Sequence, residues 1–102
     1  MAHWILEGHE IKPAELMKWA RWFESVGDGR VVAKTDICHM HISTVFLGID
    51  HRMGEPGPPL VFESMVFGGP LDGEQERYCT WDEAAHGHDV LVKRVEAAMD
   101  LS

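Results

Sequence analysis

The chain has 102 residues, 45% of them hydrophobic and 25% charged, a balance that fits one small domain spanning residues 1–102 and excludes disorder. Acidic residues outnumber Lys plus Arg by 17 to 9, for a net charge of −8. That disfavours nucleic acid and anionic membranes, which both need a concentrated positive field. No apolar run reaches the roughly 18 residues of a membrane span. The start, Met1-Ala2-His3-Trp4, carries neither a basic segment nor an apolar signal core, so the expected location is the cytoplasm.

In chain order, the first expected element is a helix from about Pro13, a residue suited to a first helical turn. Leu16, Trp19, Ala20 and Phe23 recur at helical spacing, and Gly27 and Gly29 end the run. Four extended segments follow: Arg30–Thr35, Met40–Ile49, Leu60–Phe67 and Gln75–Cys79. Gly54–Pro59 and Gly68–Gly73 break them as loops, the first stiff enough to contact a partner. Thr80-Trp81-Asp82-Glu83 is a capping box that opens a second helix, with Ala84, His88, Leu91, Val92, Val95 and Met99 as its inner stripe. The expected fold is α+β in the order α-β-β-β-β-α, a four-stranded antiparallel sheet with two helices packed on one face.

Both faces of the middle strands carry apolar residues. Val45, Leu47 and Ile49 oppose Ile42 and Phe46, and Val61, Met65 and Phe67 oppose Leu60, Phe62 and Val66. Two helices, each about 10 Å across, cover only one face of a sheet roughly 19 Å wide. A second copy over the other face, giving a homodimer, is the expected cover.

Ser43-Thr44-Val45-Phe46-Leu47-Gly48-Ile49-Asp50-His51 and Phe62-Glu63-Ser64-Met65-Val66-Phe67-Gly68-Gly69 resemble a family of small uncharacterised proteins common in bacteriophage and prophage genomes. Trp19–Glu24, Arg30–Ala33, Arg77–Ala84 and Gly87-His88 are similar to the same family. The resemblance implies a phage origin and brings no activity with it. The family usually has serine where this chain has Cys79, which argues against a thiol nucleophile. Cys38 and Cys79 have no CxxC spacing, so two free thiols are expected.

Among chemistry-bearing residues, His39-x-His41 would share a strand face and could hold a divalent metal such as zinc, with Asp50, His51 or Glu63 completing the ligands. No spacing such as His-Glu-x-x-His supports that reading. The default is no cofactor. Asp50 and His51 end a strand, Glu63 is a lone carboxylate in an apolar one, and Trp22 lies partly off its helix stripe, so these four are the candidate contacts for a ligand or partner. His88 lies on an apolar stripe, as a buried and hydrogen-bonded core histidine would. Seven histidines could move the charge from −8 to about −1 on acidification.

The expected function is non-catalytic binding by a phage accessory protein in the host cytoplasm. It would inhibit or sequester a host component, a protein or a small signalling molecule, with a component of host defence as one such target. A metal-dependent hydrolase built on the histidine pair and a virion assembly protein are the alternatives.

Overall fold

The computed structural model describes residues 2–52 and 55–100. The chain begins with a hairpin, β1 (His3–Glu7) and β2 (Glu10–Ala14), followed by α1 (Leu16–Val26) and a 3-10 turn over Gly27–Arg30. Next come β3 (Val31–Ile37), β4 (Met40–Phe46), β5 (Phe62–Phe67) and β6 (Gln75–Tyr78), and finally α2 (Trp81–Asp100). The four later strands form one antiparallel sheet in the order β3-β4-β5-β6. The α+β class and the four-stranded antiparallel meander match the sequence reading, while the element order gains a hairpin.

That hairpin corrects the reading of the N-terminus. Pro13 is not a helix start but sits in β2 opposite Trp4, on an edge strand where its missing N–H costs no ladder bond. The helix begins at Leu16, which is exposed along with Met17. Trp4 lies in β1, and its amide donates to the Gly48 carbonyl at 2.7 Å. A bridge between His3 and Ile49 then joins the hairpin to the chain leaving β4. Gly48 has φ +76°, and a Cβ there would meet the Trp19 indole and the Trp4 carbonyl oxygen. Only glycine lets the two backbones and the indole approach so closely.

Helix placement also differs from expectation. α2 packs across β3, β4, β5 and β6, whereas α1 packs mainly on β1 and the 3-10 turn. The core falls into two neighbouring clusters. One gathers Leu6, Phe46, Val61, Phe62 and Ala84; the other gathers Met40, Ile42, Val66, Leu91 and Val95. Every fully buried residue of β4 and β5 points toward α2, and the alternate residues are half-buried or exposed. The opposite face therefore stays open. The molecule is correspondingly flat, with extents of 46 × 30 × 19 Å.

The start of α2 forms as its sequence dictates. Thr80 Oγ1 accepts the Glu83 amide at 3.1 Å, and the Glu83 carboxylate accepts the Thr80 and Cys79 amides at 3.2 and 3.1 Å. Both halves of the capping box are present.

Candidate functional site

Trp22 is half-buried, with one side turned to the core. Its ring stands edge-on to Phe46 with centroids 5.5 Å apart, and it packs against the first core cluster. The helical stripe places Trp22 only one step from Phe23, so its position relative to the hairpin decided its burial. Sequence spacing alone does not contain that information.

Asp50 is committed to the backbone. Its Oδ1 accepts the Arg52 amide at 2.9 Å and the Leu60 amide at 3.0 Å. These bonds, the Arg52 amide first, hold the Asp50 carboxyl below its ordinary range. The residue thus pins together the two ends of the loop after β4. His51 lies beside it, its Nε2 buried without a hydrogen-bond partner, while its amide donates to the Leu60 carbonyl. Of the loop expected over Gly54–Pro59, Gly54 lies outside the described residues and the remainder is irregular.

Glu63 sits on the open sheet face and accepts Arg77 Nε at 3.2 Å from the neighbouring strand. His39 is not on a strand. It shares a two-residue turn with Cys38, whose φ of +55° starts the reversal, so the same-face rule for alternate strand residues does not apply to the pair. His41 is on β4, where its Nδ1 meets Asp36 Oδ1 at 2.6 Å and its ring lies by Phe67. Asp36–His41 and Glu63–Arg77 are separate pairs on that face. Among the described residues no group of three or more His, Cys, Asp or Glu side chains converges on one point.

His88 is the buried, hydrogen-bonded histidine that its apolar stripe implied, and its partners, which the sequence did not reveal, extend it into a polar chain beneath α2. His88 Nε2 is 2.8 Å from Thr35 Oγ1, His88 Nδ1 is 2.7 Å from Thr44 Oγ1, and Thr44 Oγ1 is 2.5 Å from Ser64 Oγ. Burial pushes the His88 pKa down, favouring the neutral ring. A hydroxyl beside an imidazole is the arrangement of an activated nucleophile. Here, however, Thr44 and Ser64 are 0% exposed and His88 only 2%, so no substrate reaches them. The chain cross-links three strands to α2. Its signal in the sequence was the polar interruption of two inward stripes, Ile42-x-Thr44-x-Phe46 and Phe62-x-Ser64-x-Val66.

A concavity lies elsewhere, between the hairpin tip, the Pro58-Pro59 segment and the start of α2. Its volume is about 490 Å³, and its lining includes Glu10, Ile11, Pro58, Pro59, Trp81 and Asp82. His9, at the hairpin tip, stacks flat on Trp81 with centroids 3.8 Å apart and planes within 7°. Cys79 is free and half-buried; its thiol donates weakly to the Pro58 carbonyl at 3.7 Å and lies 3.8 Å from Arg52 Nη2. Of the residues read as candidate contacts or metal ligands, Asp50, His51, Glu63, Trp22, His39 and His41, none lines this groove, whereas Pro58 and Pro59 belong to the loop expected to contact a partner.

No family model, curated protein or solved structure matches the chain. Among the described residues no helix is long and apolar enough to cross a membrane.

Proposed function

We propose that the chain acts by non-catalytic binding and works as a pair of copies joined through the open face of the sheet. The observation that carries this reading is the composition of that face. Val31, Val45, Met65 and Phe67 supply apolar surface, and Phe67 is 46% exposed. Around them Asp36 and Glu63 are matched by Lys34 and Arg77. The face is thus electrically balanced on a chain whose net charge is −8, so two copies can meet there without like-charge repulsion.

The sheet offers a footprint of roughly 400 Å² per copy, from strand spacing and rise. That is about half of what a standard stable interface buries per partner, so association should depend on concentration. In the phage setting implied by the sequence resemblance, such a pair would inhibit or sequester a host component in the cytoplasm. The polar side chains available for catalysis support binding instead: Asp50 and Glu63 are engaged, and the Thr44–His88 pair is sealed.

Sedimentation velocity over roughly a hundredfold range of concentration tests the pairing. A monomer–dimer equilibrium that Phe67→Lys abolishes is the expected result. A strict monomer throughout would overturn the reading.

A further inference from the structure

We infer that the groove between the hairpin tip and the α2 N-terminus is a docking site for a basic, partly apolar segment of a partner protein. This rests on the reading of the chain as a binding module and names the chemistry of its partner.

The walls are apolar and stiff. Ile11 comes from β2, Trp81 from the first turn of α2, and Pro58 and Pro59 from the intervening loop. The two prolines offer no N–H, and the Pro58 carbonyl already accepts from Arg52 Nε and the Cys79 thiol. Just before α2 the Cys79 and Thr80 amides both point to the Glu83 carboxylate, which adds a further negative charge at this end of the groove.

Acceptors, by contrast, are available at the rim. Glu10 and Asp82 both line the groove. Asp82 is exposed, and Glu10 meets Lys12 at 3.6 Å with both side chains well exposed, a pairing that competes weakly. The lining contains no Lys or Arg. An occupant that complements these walls brings an ammonium or guanidinium to the rim and lays its aliphatic stem or a neighbouring apolar side chain on Trp81, Ile11 and the prolines. A volume of about 490 Å³ suits a few side chains of an extended segment.

The test is a titration of the ¹⁵N-labelled protein, followed by amide shifts, with a short amidated peptide of alternating leucine and arginine and with its leucine–glutamate counterpart. The arginine peptide should shift residues 9–11 and 79–82. Its affinity should fall about tenfold in the double variant Glu10→Gln, Asp82→Asn, and also on raising the salt. The glutamate peptide should leave those residues unmoved. Both substitutions are of exposed side chains, and an unchanged circular dichroism spectrum checks the fold. Equal binding of both peptides, indifference to the double variant, shifts confined to the open sheet face, or no binding would each overturn the groove assignment. Shifts on the sheet face would still leave the binding reading standing, whereas cleavage of the peptide, seen by mass spectrometry, would overturn that reading itself.

Discussion

Gly87 and Tyr78 touch so closely that no other residue fits at position 87: a Cβ there would lie 2.3 Å from the Tyr78 ring Cε1 and 2.4 Å from its hydroxyl oxygen. Glycine inside a helix normally costs about 1 kcal/mol relative to alanine. In α2 that cost is offset by seating the ring of β6 against the helix backbone. Gly87→Ala should therefore destabilise the protein, by about 2 kcal/mol, despite alanine's better helix propensity. Urea unfolding of Gly87→Ala, Tyr78→Ala and the double variant checks the cause. A coupling of about 1 kcal/mol or more is expected, because removing the ring removes the clash.

Stability should fall in two steps on acidification. His88 is buried neutral and its folded pKa is lowered, chiefly by desolvation. The unfolded chain then binds more protons than the folded one once the pH drops below the ordinary value of 6.5, and stability declines until the folded pKa is reached. Asp50 behaves as a depressed carboxyl. Its contribution is complete above its ordinary value of 3.8 and is lost as the pH falls through the lower folded value. Urea midpoints measured from pH 8 to pH 3 resolve the two windows. His88→Gln should remove the upper decline and leave the lower one, while Asp50→Asn should do the reverse.

The capping box supplies a third expectation. Thr80 Oγ1 is the acceptor for the Glu83 amide, so Thr80→Ala should cost about 1 kcal/mol, and Thr80→Ser much less. Thermal melts of the two variants distinguish the lost acceptor from a lost methyl group.

How far the sequence could be read follows from the same details. Thr80–Glu83 and the β-branched runs of β3 to β5 announce α2 and the sheet, because capping and alternation are local chemistry. The hairpin was missed because Pro13 suits a first helical turn as well as an edge strand, and only the pairing of Trp4 with Pro13 decides between them. The candidate sites were less legible still. Asp50 looked like a strand-end carboxylate open to a ligand, yet its partners are the amides of Arg52 and of Leu60 ten residues away. His88 was readable as buried, but its hydroxyl partners, Thr35 and Thr44, come from two different strands, and Ser64 on a third extends the chain through Thr44. The groove joins residues 9–11, 58–59 and 79–82, segments that no spacing rule connects.

The stack of His9 on Trp81 ties the hairpin tip to α2, beside the packing of Leu6 and Ala84 in one core cluster, and closes one side of the groove. A flat imidazole at 3.8 Å lies in the shielding region above the indole, so the His9 ring protons should resonate upfield of those of the exposed histidines in a proton spectrum. Trp81→Leu should return them to the ordinary position while keeping apolar volume beneath the hairpin. An aromatic contact of this kind contributes about 0.5–1.5 kcal/mol beyond the area it buries, with the exposure of His9 placing it at the low end. His9→Ala should accordingly lower global stability by no more than about 1 kcal/mol. Its larger effect should be local, as faster amide exchange at Gly8 and Glu10, because the tip loses its hold on the helix. Unchanged exchange at the tip would show that the bridge between His3 and Ile49 and the packing of Leu6, rather than the stack, anchor the hairpin.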